Sequence, residues 1–436
     1  MNIRKAALDL LIEYEAAEKY INLSLASHAL DGLSRDERAA LTALLYTAVE
    51  HKITYDYYIS SLSSRSPDSV DPYTRNVLRL GLCQICDMSS VPDFAAVNET
   101  VKLARNPGER AFVNGVLRAA ARRKDALPLP SEEKNYRRYL SVKYSYPLWM
   151  VKLFDARFGR EGTEQMLDYF NREKYTDLTV NTLKISVDEY IARLADRGIT
   201  AEADPSGLPS LRIARSVNPE LLPGFREGEV FVQDRACVVA AAALAPAPGD
   251  VLVDVCAAPG GKSFVSALQM QDGGKIYAFD LHESKLSLIS GGAARLGLVS
   301  ITVGERDAET PAPELIGTVD KVICDVPCSG LGVLGKKPDL RYKSEESVEQ
   351  LPELQYSILE QSARYLKAGG HLLYSTCTLN PAENEEIVQR FLNNHTEYEQ
   401  IPFEAGGYSA PTGMLTLLPH VHRTDGFFMA KIRKKD

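Results

Sequence analysis

Two cysteines have the residue type and the setting for chemistry. Cys328 stands in KVICDVPCSGLG and Cys377 in HLLYSTCTLNPAENE, each just past an apolar, strand-like run. A thiol attacks only as its thiolate, and free cysteine ionises near pH ~8.5, so a working site must favour ionisation. A single such cysteine is most often inert core. Two of them, at two strand ends on the sheet edge where ligands gather, are harder to read as packing. Upstream, VLVDVCAAPGGKSFVSALQ runs from an apolar strand through a glycine-rich turn into a helix. Gly260 and Gly261 let the backbone approach a ligand, and a helix N-terminus offers free amide donors. Asp280 ends the next strand, where a carboxylate accepts hydrogen bonds from both hydroxyls of an adenosine ribose. Asp307, in GERDA after the third strand, is either a contact for the adenine amino group or an acidic turn residue.

The turn lacks G-x-G-x-x-G, so no pyrophosphate cradle is spelled out, which argues against NAD. S-adenosylmethionine carries no phosphate. Its amino-acid end asks only for backbone groups and a counter-charge, for which Lys262 is available. A thiol beside a methyl donor suits carbon 5 of a cytosine, which is too weak a nucleophile to take a methyl group unaided. Thiolate addition at carbon 6 makes carbon 5 enamine-like. That step also needs a proton or hydrogen bond at ring N3, and Asp325, three residues before Cys328, is placed to supply it. A base must afterwards remove the carbon 5 proton so that the thiol can leave. Two thiols with different tasks fit that order of events.

DVCAAPGGKS, DVPCSG and YSTCTLNPAENE resemble the motifs of the RNA cytosine-5 methyltransferases. The resemblance implies that Cys377, the T-C cysteine, is the nucleophile and that Cys328, the P-C cysteine, assists release of the methylated RNA. It implies cofactor contacts at Cys256, Ala257, Ala258, Pro259, Gly260, Gly261, Lys262, Asp280, Asp307 and Asp325. DNA cytosine-5 methyltransferases attack with the P-C cysteine instead, so STC selects the RNA branch. FVNGVLRAAAR resembles the NusB-like RNA-binding module, and VQDRACVVAA and TDGFFMAKI add to the likeness. Together they imply the RsmB type, which acts on one cytosine of bacterial 16S ribosomal RNA. Three departures bear on the choice of substrate rather than on the reaction. Val326 replaces a usual Ala, Lys337 a frequent arginine or histidine, and LTVNTLK lacks an arginine before its Val-Asn pair.

These residues need a scaffold, and 436 residues are too many for one ordinary core. Residues 1–127 show apolar spacing of three and four, as in Leu41, Leu44, Leu45 and Val49, and read as the all-α, NusB-like domain. ALPLPSEEK looks like a linker. Residues 128–230 read as a small α+β module. It begins with short helices in SVKYSYPLWMVKLFDARFG and REGTEQMLDYFNRE and continues with a strand in DLTVNTLKI. Residues 231–436 alternate strands and helices, the pattern of a parallel α/β sheet. The resemblance implies that this sheet has the Rossmann-like fold of a class I methyltransferase. Its strand candidates are 251–255, 275–280, 300–303, 319–325 and 371–377, with an edge hairpin from MLTLLP and GFFMAKI.

The net charge of −8 disfavours a chain that simply coats nucleic acid. A local exception is the run of Lys102, Arg105, Arg110, Arg118, Arg122, Arg123 and Lys124 against Glu109 alone, either a phosphate-binding face or a solvated helix. Seven cysteines, an odd number without disulfide spacing, point to reduced thiols. Cys83 and Cys86 lack further ligands at zinc spacing and read as buried helical residues, so no metal is expected. The N-terminal segment reads as an amphipathic helix rather than a signal peptide, and no apolar run of about 18 residues suggests a membrane span. The resemblance implies 16S rRNA, free or in an early small-subunit particle, as the partner, and a cytoplasmic monomer is expected. A cytosine-5 methyltransferase of tRNA or 23S rRNA, a catalytically idle RNA-binding adaptor, and an NAD-dependent dehydrogenase remain as rival readings.

Overall fold

The computed structural model describes residues 2–17, 32–172 and 175–436. The chain forms two compact units, Met1–Asn171 with Lys337–Lys343, and Arg172–Lys336 with Ser344–Asp436.

The first unit is helical, with α1 (Ile3–Ala17), α2 (Arg35–Glu50), α3 (Lys52–Ser63), α4 (Pro72–Cys86), α5 (Asp93–Val101), α6 (Pro107–Arg122), α7 (Tyr136–Tyr144) and α8 (Leu148–Arg172). Helix starts follow local chemistry. Ser34 and Glu37 form a reciprocal cap on α2, Asp71 accepts the Thr74 amide ahead of Pro72, and Asn106 caps α6. Helix α4 is buried on all sides from Asn76 to Ile85, which makes it the axis of the unit. Cys83 is buried there and Cys86 half-buried, so both serve as core residues. The two short helices expected after residue 140 differ in outline. Ser145, in the left-handed region, ends α7, and α8 runs on to Arg172 across a break at Gly159.

The compact unit thus extends past residue 127, and it also takes in seven residues from far along the chain. Arg341, with no exposed surface, donates to the Glu50 carbonyl (3.1 Å), the Glu50 carboxylate (3.2 Å) and Asn171 Oδ1 (2.8 Å). Its guanidinium lies 4.1 Å from the Tyr146 ring centroid, and the Tyr342 hydroxyl reaches the Val49 carbonyl. Among the described residues no helix is long and apolar enough to cross a membrane.

The second unit opens with a small antiparallel sheet of β1 (Thr176–Val180), β2 (Glu202–Ala203), β3 (Ser210–Ile213) and β4 (Val230–Val232), in the order β2-β3-β1-β4. Helix α9 (Val187–Ala195) packs Tyr190 and Leu194 onto Leu178, Val180, Leu211 and Ile213. Asn181 ties this sheet down by donating to the carbonyls of Gly228 and Leu296, each at 2.9 Å.

The main sheet follows α10 (Arg235–Leu244). Its elements are β5 (Val251–Asp254), α11 (Gly261–Gln269), β6 (Lys275–Asp280), α12 (Glu283–Leu296), β7 (Ile301–Glu305), β8 (Val319–Asp325), α13 (Glu345–Glu349), α14 (Leu351–Ala363), β9 (Leu366–Thr376), α15 (Glu385–Asn394), β10 (Tyr398–Gln400), β11 (Phe403–Ala405), β12 (Tyr408–Ala410), β13 (Met414–Leu417), α16 (Pro419–His422) and β14 (Phe427–Lys434). Strand order is β10-β14-β9-β8-β5-β6-β7, with β13 also on β14, while β11 and β12 pair separately. The five strands from β5 to β9 run parallel, and β14 is antiparallel to β9. All five expected parallel strands are present within a few residues, and β13 pairs with β14 as the expected hairpin does. The short β10, polar and only three residues long, gave no period to read. From β5 the chain builds outward through β6 and β7, then returns to add β8 and β9 on the other side. The crevice at the ends of β5 and β8 is therefore the switch point where ligands bind in open α/β sheets.

Candidate active site

The turn after β5 is tight because its glycines leave no room for anything larger. Gly260 sits at φ +109°, and a Cβ there would lie 2.4 Å from the Phe264 ring. A Cβ on Gly261 would lie 2.0 Å from Gln233 Oε1. Helix α11 starts at Gly261 with no side chain capping its first turn, so its amides face outward as donors. Asp280, at the end of β6, accepts the Ala258 amide at 3.2 Å and the His282 amide at 3.1 Å. Its carboxylate thus stitches the β5 and β6 turns together and keeps lone pairs for a ligand. Free amides and a carboxylate at the strand end suit a zwitterion with a ribose diol, and S-adenosylmethionine is such a molecule. Asp307 is exposed, and its Oδ1 accepts the Glu309 amide at 3.0 Å. Cys256 is core in character, with burial pushing its thiol well above the usual range. Below the turn, burial pushes Asp254 up to about 7, against a hydrogen bond from Ser263.

Lys262 corrects an expectation. It does not stand free as a counter-charge, because its ammonium donates to Asp325 Oδ2 at 2.6 Å. Burial works against that ammonium, but the Asp325 carboxylate outweighs it and holds Lys262 above its ordinary range. The second Asp325 oxygen accepts the Ser375 hydroxyl at 2.7 Å. Asp325 is thereby fixed from the cofactor turn on one side and from β9 on the other.

The two cysteines meet. Cys328 Sγ and Cys377 Sγ are 3.3 Å apart, both as free thiols and both partly exposed. The contact with Cys328, together with burial, pushes the Cys377 thiol well above the normal cysteine range, while Lys262 acts in the opposite sense. Before a substrate arrives, Cys377 is therefore held as a thiol.

Two further motifs brace these loops. The Gly332 amide donates to the Cys377 carbonyl at 2.9 Å, and the Gly332 carbonyl accepts the Gly426 amide at 2.8 Å. Lys336, at the far end of the Cys328 loop, donates to Asp234 (2.6 Å) and Asp425 (3.1 Å). Asp234 also accepts the Thr424 hydroxyl at 2.7 Å. Burial disfavours the Asp234 carboxylate, but Lys336 holds it well below its usual range, while burial and Asp234 push Asp425 up to about 7. VQDRAC and TDGFF thus act as struts. Sequence reasoning quoted both without a role, since only the fold shows that they meet.

The basic run lies in the helical unit and is partly spent. Lys102 pairs with Glu99, Arg105 with Asp71 and Glu109, and Lys124 with Asp93. Arg110 donates to the Ala104 carbonyl and Arg118 to Asn114, and Arg122 and Arg123 are exposed.

Comparison with known proteins now decides the family. Residues 241–433 match the 16S rRNA methyltransferase RsmB/F family, residues 1–122 the NusB family, and residues 146–219 the ferredoxin-like domain of RsmF/B-like methyltransferases. The probable ribosomal RNA small subunit methyltransferase B of Synechocystis is 38% identical over 449 residues, covering all of both chains. Its Bacillus subtilis counterpart is 34% identical over 450 residues, covering 100% of this chain and 99% of the other. The chain belongs to the RsmB family. The crystal structure of PH0851 matches an RsmB-family chain such as this one with a TM-score of 0.81 and 28% identity, covering 100% of this chain and 99% of the other. RsmB-family membership makes the protein an S-adenosylmethionine-dependent methyltransferase with a NusB-like helical domain, as its motifs implied.

Proposed function

We propose that this RsmB-family chain methylates carbon 5 of one cytosine in 16S rRNA through a covalent bond between Cys377 and carbon 6. The observation that carries the reading is the 3.3 Å meeting of Cys377 and Cys328 beside the Lys262–Asp325 pair. Bound S-adenosylmethionine would supply an electrophilic methyl group. Amides of the Cys256–Lys262 turn, Asp280 and Asp307 are the groups proposed to hold it.

An entering base must separate the two thiols, which removes the contact that most disfavours Cys377 ionisation. The Cys377 thiolate then adds to carbon 6, and the electron pair moves toward N3. There Asp325 relays to N3 a proton drawn from the Lys262 ammonium, since its carboxylate carries none of its own. Once carbon 5 is methylated, Cys328, its own proton already lost to solvent, takes the carbon 5 proton as a thiolate; the Cys377–carbon 6 pair returns to sulfur and N3 gives up its proton, restoring the aromatic ring. Arg110, Arg118, Arg122 and Arg123 are proposed to contact RNA phosphates, with Lys102 and Arg105 contributing less because acids already hold them. One chain carries both thiols and the whole cofactor turn, which supports action as a monomer; free rRNA or an early particle is the proposed substrate.

In the test, Cys377→Ala loses methyl transfer to 16S rRNA, whereas Cys328→Ala accumulates a protein–RNA adduct that survives denaturation. Wild-type turnover in the Cys377 variant would end this reading.

A further inference from the structure

The reaction above gives no task to Glu383, yet its carboxylate touches both cysteine loops. The residue has no exposed surface. Oε2 accepts the Ser329 amide at 2.8 Å and Gln355 Nε2 at 2.9 Å. Oε1 accepts the Ser329 hydroxyl at 2.5 Å, Asn380 Nδ2 at 3.1 Å and the Thr378 hydroxyl at 3.3 Å. Ser329 directly follows Cys328, and Thr378 directly follows Cys377. One carboxylate therefore bonds to the neighbour of each thiol, and holds in place the Ser329 and Thr378 hydroxyls, which also meet each other at 2.7 Å.

Its own position is fixed as well. The Tyr374 hydroxyl donates to the Glu383 carbonyl at 2.7 Å. Asn384 accepts the Thr376 hydroxyl at 2.6 Å and donates to the Thr378 carbonyl at 3.0 Å. The Glu383 end of the clamp thus belongs to the same rigid piece as the end of β9.

Burying a carboxylate is costly unless its lone pairs are filled, and here uncharged donors fill them. Packing alone would be served at lower cost by an apolar residue. Glutamine, the nearest isostere, would turn an NH2 group toward a set of N–H and O–H donors. The Ser329 and Gln355 N–H groups reach one oxygen and the Asn380 N–H the other, so an NH2 on either side would face at least one of them.

We infer that Glu383 is a positioning residue that holds the Cys328 loop and the Cys377 loop in one register, so that both thiols address the same base. It acts through Ser329 and Thr378 and touches no reacting atom. The inference rests on the thiol roles proposed above.

Glu383→Gln in the full chain tests it. A loop displacement of about 1 Å costs roughly 10²-fold in rate. The expectation is therefore a kcat about 10²-fold lower, with KM for RNA moved less than about threefold and S-adenosylmethionine affinity by calorimetry unchanged. A second readout needs no catalysis. Diamide, an azo oxidant, takes one hydrogen from each thiol, becoming the hydrazine as a Cys328–Cys377 disulfide forms. Peptide mass spectrometry should show that bond forming more slowly in Glu383→Gln than in the wild type.

A variant that cross-links and turns over at wild-type rates overturns the inference. Slowed cross-linking alongside a fully active Cys377→Ala would instead leave the clamp standing and remove the thiol roles. Should Glu383→Gln not fold, Ser329→Ala and Thr378→Val each remove one hydroxyl from the clamp. The first should raise the fraction of trapped adduct and the second slow its formation, and wild-type behaviour in both overturns the inference.

Discussion

Gly332→Ala should disable catalysis while leaving cofactor binding intact. Gly332 sits where the Cys328 loop passes between the Cys377 carbonyl and Gly426, and it bonds to both. A Cβ added there would lie 1.9 Å from the Gly426 oxygen, 2.5 Å from the Gly426 carbonyl carbon and 2.8 Å from the Cys377 oxygen. All three are backbone atoms, so no side chain can swing aside. Reaching even the 3.0 Å that real Cβ contacts respect requires 3.0 − 1.9 = 1.1 Å of separation. A shift of that size at a reacting group costs about 10²-fold, close to 2.7 kcal/mol of barrier. Losing the two backbone hydrogen bonds adds a stability cost of about 1 kcal/mol each.

The assay is single-turnover transfer of a labelled methyl group to a 16S rRNA transcript, with calorimetric titration of S-adenosylmethionine in parallel. The cofactor turn hangs from β5 and β6 rather than from the Cys328 loop, so its affinity should change much less than the rate. Gly291→Ala is the matched control. The same methyl group added in α12 meets nothing within 4 Å, and replacing a helical glycine should stabilise by about 0.5–1 kcal/mol without changing rate. A folded Gly332→Ala enzyme with wild-type turnover would refute the idea that this close backbone approach sets the thiol geometry.

Three further outcomes follow from the same geometry. Cys328→Ala removes the largest influence raising the Cys377 pKa in the free enzyme, so adduct formation at subsaturating RNA, which should climb about tenfold per pH unit in the wild type while the thiol is protonated, should reach its plateau at lower pH; rapid-quench rates across the range from about pH 6 to 9 would show no displacement if Cys328 has no such effect. Arg341→Met takes a guanidinium from a fully buried ion pair and should cost about 3–5 kcal/mol in urea unfolding. Lys431, buried at the far end of β14, is lowered from 10.5 to about 8 by burial and then by Lys321. Between those values the unfolded chain binds more protons than the folded one, so its contribution makes stability rise with pH from about 8 to 10.5 and imposes its full penalty below 8. Lys431→Met should be more stable at pH 7 and lose that rise in thermal melts, and an unchanged pH dependence would show that the ammonium is not penalised by the fold.

What could be read from the residues and what could not divide along a physical line. The parallel strands announced themselves because each is a short apolar run closed by a turn. The thiols did so because a cysteine at such a strand end is unusual. Lys262 was readable as a cation near the cofactor turn, but its partner was not. Asp325 lies 63 positions away, and only the adjacency of β5 and β8 brings the two together. Helix–helix membership was harder still. Nothing local marks residues 337–343 as part of the helical unit, since Arg341 finds Glu50 across 291 positions.

The residues left without a role by the sequence share one property, which is that their work is to accept hydrogen bonds or to make room. Glu383 in NPAENE looks like a solvated acid until five donors are seen to converge on it. Gly332 looks like an ordinary loop glycine until Gly426 is found against it. Such residues gain meaning only from what arrives from elsewhere in the chain. A nucleophile can be recognised by its own chemistry, whereas the groups that aim it are defined by the partners they hold. That is why the 3.3 Å thiol contact depends on residues whose side chains carry no reactive character of their own.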